Sequence, residues 1–82
     1  MPEAADFEAE IRRIWNRAAD DRFVVVNAGD LHRRAGGYPG ANHRMPVCCE
    51  VMRRLMESGD EIRQEPPRGN GATLTILYRL PR

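Results

Sequence analysis

The sequence has no lysine; all 13 of its basic residues are arginine. A GC-rich coding bias would produce this pattern. So would a preference for the guanidinium, which pairs bidentately with phosphate and guanine. Cysteine is nearly absent as well. Cys48 and Cys49 are adjacent, and neighbouring cysteines rarely join because the ring strains normal disulfide geometry. No intrachain disulfide framework is expected, which agrees with a reducing compartment. No apolar run approaches the roughly 18 residues that a membrane span needs. The opening MPEAADFEAE is acidic and lacks the basic and apolar regions of a signal peptide. These absences lead us to expect a cytoplasmic protein with no membrane partner.

Catalytic signatures are missing too. There is no G-x-S-x-G, P-loop or H-E-x-x-H pattern. A chain of 82 residues leaves little room for a water-excluding cleft. We therefore expect no enzyme and no catalytic residue. His32, His43, Cys48 and Cys49 are zinc-ligand types, but their spacing does not suit a zinc site. Adjacent cysteines on a helix diverge by about 100°. Neither a metal nor any other cofactor is expected.

What remains is one domain over residues 1–82 with a thin core. A chain this short is stable only if nearly every apolar residue is buried. Hydrophobic content of 41% and charge of 30% are ordinary for a globular domain. The net charge of +1 does not mark a nucleic-acid binder, but its distribution is uneven. Residues 1–30 carry seven acids and four arginines, whereas residues 31–82 carry five acids and nine arginines. The second part is the basic one.

Phe7, Ile11, Ile14, Trp15 and Ala18 recur at helical spacing and predict a helix, α1, over residues 4–19. Asp20 and Asp21 end it. Phe23-Val24-Val25-Val26 is a β-branched run that predicts a strand, β1, over residues 23–26. Asn27 reads as an N-cap three residues before Asp30. It opens a helix, α2, over residues 28–35 with Ala28, Leu31 and Ala35 inward, and Gly36-Gly37 stop that helix with positive φ. Pro46 suits a first turn, so α3 is predicted over residues 46–58. Its inward face is Val47, Cys48, Val51, Met52 and Leu55, with Cys49 and Arg54 on the flanks and Gly59 closing it. Strands β2 over residues 61–65 and β3 over residues 72–80 then form a hairpin. Leu74, Ile76, Tyr78 and Leu80 should face inward, and Thr73, Thr75, Leu77 and Arg79 outward. Asn70-Gly71 favours a turn with positive φ at both positions, and Pro66-Pro67 stiffens the approach and blocks edge pairing.

The expected fold class is α+β, in the order α1-β1-α2-α3-β2-wing-β3, with three helices packed on a small antiparallel sheet that β1 completes. In that order, and in the segments VVVNAGDLHRRAGG, MPVCCEVMRRLM and PPRGNG, the chain resembles the winged helix-turn-helix superfamily over nearly its whole length. One departure is the link between α2 and α3, which exceeds the short turn of a compact helix-turn-helix. The resemblance implies double-stranded DNA as partner and α3 as the recognition helix. On it and before it, the implied contacts are Asn42, His43, Arg44, Cys49, Arg53 and Arg54. Arg33 and Arg34 on α2 and Arg68 and Asn70 at the wing tip complete the set. Such a protein would be a regulator, or a DNA-reading module like those appended to restriction and modification enzymes. The loop holding Tyr38, Asn42, His43 and Arg44 also suits stacking on a base, in DNA or RNA. Against base contact stand simpler roles: Tyr38 packing on α1, Asn42 and His43 capping α3, and Glu50 pairing with Arg53 or Arg54. The alternative is a protein-interaction or dimerisation module without nucleic-acid binding. α1 would offer a homodimer contact if Trp15 kept part of its ring in solvent.

Overall fold

Amphipathic spacing and local caps place the helices. In a computed structural model describing residues 2–40 and 43–82, α1 covers Ala4–Arg17 and α2 covers Ala28–Ala35, with α3 at Met45–Arg54. The strands are β1 at Phe23–Asn27, β2 at Glu61–Gln64 and β3 at Thr75–Arg79. The sheet is antiparallel in the order β1-β3-β2. The chain is thus an α+β unit in which three helices cover one face of a three-stranded sheet.

Three signals act as expected. Asn27 caps α2 by accepting from the Asp30 N–H at 3.1 Å, and its amide reaches Thr75 Oγ1 at 3.2 Å. Gly36 and Gly37 leave α2 with φ of 105° and 83°, angles open to glycine at little cost. β1 joins β3, pairing Val24 with Tyr78 and Val26 with Ile76. The Asn27→Ala change removes both a cap and a strand tie. It should cost about 1–2 kcal/mol in urea denaturation, and an unchanged midpoint would show the cap to be dispensable.

The core lies between the helices and the inner sheet face. Phe7, Ile11 and Trp15 of α1 meet Leu31 of α2, Cys48, Val51 and Met52 of α3, and Leu74, Ile76 and Tyr78. The Tyr78 hydroxyl donates to the Met52 carbonyl at 2.8 Å. Burying Trp15 at 7% exposure removes the α1 dimer contact that an exposed ring would have provided.

Four expectations need correction. α3 ends at Arg54, four residues early. The Leu55 carbonyl, which a longer helix would have used, instead accepts from the Arg82 guanidinium at 2.6 Å, and Asp60 accepts from the Glu57 N–H at 2.7 Å. Gly59, with φ of 96°, belongs to the following turn. Secondly, the hairpin is not closed at Asn70-Gly71. Residues 65–74 form a broad loop in which Gly69, with φ of 79°, is the glycine at positive φ, and no non-glycine residue takes positive φ among the described residues. Thirdly, Leu77 is buried at 2% exposure although it lies on the outer face. It sits mid-sheet on the central strand, opposite Val25 on one side and Glu61 on the other. Lastly, Cys49 is fully buried, because the β2–β3 loop folds over its flank of α3.

Candidate nucleic-acid interface

Two α3 side chains hold the β2–β3 loop, chiefly Arg53. Arg53 Nη1 donates to Asn70 Oδ1 at 2.9 Å, and Nη2 donates to Glu65 Oε1 at 3.0 Å and to the Gly69 carbonyl. The planar guanidinium presents several fixed donors at once, so one residue can hold three points of a loop. Cys49 adds a second attachment. Its Sγ donates to the Gly71 carbonyl at 3.3 Å, and the Gly71 N–H contacts the same sulfur at 3.4 Å. A Cβ on Gly71 would lie 3.2 Å from the Pro66 side chain, so that glycine allows the loop to close. Of the expected contacts at this end, Arg53 and Asn70 are bonded to each other and Cys49 is inaccessible. Arg68, on the same loop, is exposed.

The two thiols are held protonated. Burial pushes the Cys48 pKa up to about 12, and neighbouring Cys49 adds to the shift. Burial also raises Cys49, although the Gly71 backbone contact and the charge of Arg53 oppose it. Reactive cysteines show the reverse, a lowered pKa at an exposed site. Among the described residues, no group of three or more His, Cys, Asp or Glu side chains is arranged to hold a metal. No described helix is long and apolar enough to cross a membrane.

The loop before α3 is organised by His32, which is fully buried. Its Nδ1 lies 3.0 Å from the Gly36 carbonyl, and its Nε2 accepts from the Arg44 N–H at 2.9 Å. A neutral ring protonated on Nδ1 satisfies both bonds. The imidazole packs edge-on against Phe7 at 4.9 Å and beside Tyr38 at 5.4 Å. Tyr38 therefore packs on His32, and it also stacks under Arg33 at 5.4 Å. His43 takes the capping role: its Nδ1 accepts from the Met45 N–H at 3.2 Å. Arg44 reaches Glu3 at 3.3 Å. Asn42 lies outside the described residues.

The other expected contacts are dispersed. Arg54 pairs with Glu8 of α1 at 3.1 Å, and Arg33 with Asp30 at 3.0 Å. Two hydrogen-bonded arginines, Arg12 and Arg54, hold the Glu8 carboxyl below its ordinary pKa and outweigh a smaller desolvation effect. Arg34 lines a groove with Ile14, Arg17, Ala18, Asp21 and Val24, beside β1 rather than beside the β2–β3 loop. Glu50 is exposed, and no pairing of it with Arg53 or Arg54 is present among the described residues. The chain matches no protein-family model, no curated protein and no solved structure.

Most of the basic surface is thus already neutralised. Among the described residues, Arg22, Arg34 and Arg68 are the arginines outside every ion pair. Of these, Arg68 alone belongs to the unit formed by α3 and the β2–β3 loop.

Two structural residues escaped the sequence reading. Arg82 lays its guanidinium 4.4 Å from the Trp15 ring and 2.9 Å from Asp60, whose side chain is fully buried. Nothing in the terminal LPR segment marks that role. His32 did have a signal: it stands one helical turn after inward-facing Ala28, on the buried stripe of α2.

Proposed function

We propose that this chain is a winged-helix protein that binds double-stranded DNA, with α3 and the β2–β3 loop, its wing, on the DNA side. The element order and the placing of β1 beside β3 support the winged-helix reading. The observation that carries the functional reading is the Arg53 clamp: three loop acceptors on one α3 guanidinium set the wing rigidly against the helix. Arg68 is left uncommitted on the wing. A pre-ordered cationic loop loses little conformational entropy on meeting a phosphate backbone.

The clamp also indicates the kind of binding. Arg53 and Asn70 satisfy one another, so reading a base edge would require breaking bonds that already exist. Contact falls mainly to phosphates and to the minor groove, where a lone arginine finds strong negative potential. Such a protein tolerates many sequences, as suits a DNA-reading accessory or a weakly specific regulator. Glu50 on the exposed side of α3 disfavours close approach of that helix to phosphate and adds to the weight on the wing.

Fluorescence-anisotropy titration of a random duplex at two salt concentrations tests the reading. Each lost phosphate contact lowers the salt slope by about 0.9, so Arg68→Ala should reduce the slope by about one contact. Arg53→Ala should weaken binding with the slope nearly unchanged, because it loosens the wing without touching phosphate. Absence of binding to any duplex at low salt would overturn the proposal.

A further inference from the structure

The outer edge of β1 supports an inference that is independent of DNA binding. β1 is an outer strand of the sheet, so one of its edges carries no neighbouring strand among the described residues. The Arg22 carbonyl accepts from the Leu80 N–H at 2.9 Å, and the Ala28 N–H donates to the Leu74 carbonyl at 2.8 Å. Main-chain groups alternate sides along an antiparallel strand. Those of Val24 and Val26 therefore point to β3, and those of Phe23, Val25 and Asn27 point to the open edge. Phe23 and Val25 are also the large hydrophobic residues that remain exposed among the described residues, at 46% and 48%. The same two residues thus offer unpaired ladder groups and unburied apolar side chains.

The opposite edge is protected in the usual ways. β2 carries Glu61 and Arg63, shifts register between Ile62 and Gln64, and runs into Pro66-Pro67. Charge, irregular pairing and proline all discourage addition of a further strand. β1, with the sequence FVVVN, has none of these features.

We propose that β1 is a self-association edge, on which two copies pair antiparallel about a two-fold axis at Val24 to form one continuous sheet. That register sets Phe23 against Val25 of the second copy twice over, with all four side chains on the outer face and the ladder groups of both residues bonded. A two-fold at Val25 would instead set Phe23 against Asn27, losing an apolar cross-strand pair. Charge selects a second copy as the occupant. Of the charges that line the groove beside β1 or lead into the strand, Arg17 pairs with Glu10, whereas Asp20, Asp21, Arg22 and Arg34 form no ion pair among the described residues. Open charges of both signs, two of each, can be complementary to themselves under two-fold symmetry. A partner of a single charge sign would satisfy only one of the two signs. The contact is small, so association should be weak, on the order of micromolar or above.

Sedimentation equilibrium of the whole chain without DNA, from about 1 μM to about 1 mM, spans that range. The expected result is a mass rising from one chain to two and no further. Val25→Lys should weaken association by at least about tenfold, as a charge does on an open edge, while circular dichroism shows the fold retained. Hydrogen exchange on the unmodified chain provides a second measure that does not depend on a variant folding. The Phe23 and Val25 amides should gain protection as concentration rises, whereas Val24 and Val26 stay protected throughout. A monomer at every concentration, open-ended assembly, association in folded Val25→Lys equal to that of the unmodified chain, or a dimer that leaves the Phe23 and Val25 amides unprotected would each overturn the proposal.

Discussion

Asp60→Ala should destabilise the chain by about 3–5 kcal/mol in urea denaturation, the cost of stranding one member of a buried ion pair. Asp60 accepts from the N–H of Glu57 at 2.7 Å, from the N–H of Arg79 at 2.7 Å and from Arg82 Nη1 at 2.9 Å. Those bonds join the turn after α3, the central strand and the last residue of the chain. Arg82 is itself 7% exposed in its side chain and lies across Trp15. Alanine would leave its largely buried charge with only the exposed Glu57 carboxylate, 3.6 Å away, and would remove the acceptor of two backbone N–H groups. Total stability for a domain of this kind is about 5–15 kcal/mol, so the loss would be a large share of the whole. Asp60→Asn keeps an acceptor and should lose less. A loss below about 1 kcal/mol for the alanine variant would show that the pair is not integral to the fold.

The same carboxylate links stability to pH. Burial alone would raise its pKa, but the Arg82 guanidinium and the N–H groups of Arg79 and Glu57 outweigh burial and hold it below the ordinary 3.8. A carboxylate depressed in the folded state contributes stability above its unfolded pKa. That contribution disappears as pH falls through the folded value. Stability should therefore decline below about pH 4, and Asp60→Asn should lack that part of the decline.

His32→Ala should cost about 2–4 kcal/mol, because it opens a cavity and removes the bonds that His32 makes to the Gly36 carbonyl and the Arg44 N–H. His32→Phe restores most of the volume and not the two hydrogen bonds, so its loss should be smaller. The difference between the variants divides packing from bonding. Thermal denaturation followed by circular dichroism measures both. Equal and negligible shifts would show that neither bond matters. On the proposed DNA-binding reading, duplex affinity should also fall with the alanine variant where the fold survives, because His32 joins the end of α2 to the residue before α3.

How far the sequence could be read depends on how local each signal is. The Asn27 cap, the Gly36-Gly37 stop and the β-branched run of β1 act within a few residues, and the structure has all three where they were expected. α3 was expected to run to residue 58, because nothing nearby opposes it. It ends at Arg54, and the Leu55 carbonyl is taken by Arg82, 27 residues beyond Leu55. Asn70-Gly71 was expected to set a tight turn. In a longer loop the path is instead governed by Arg53 and Cys49, which no local pattern reveals.

The candidate site shows the same division more sharply. Sequence alone could say that arginines gather in the second part of the chain and could name Arg53, Arg68 and Asn70 together. It could not say that Arg53 and Asn70 bind each other, that Cys49 lies beneath the loop, or that Arg54 is held by Glu8 from α1. Residue type and spacing establish which helices and strands form and which groups have the chemistry to meet a phosphate. Whether a given guanidinium is free to do so depends on which carboxylates and carbonyls the packed elements bring within reach, and that is a property of the folded chain.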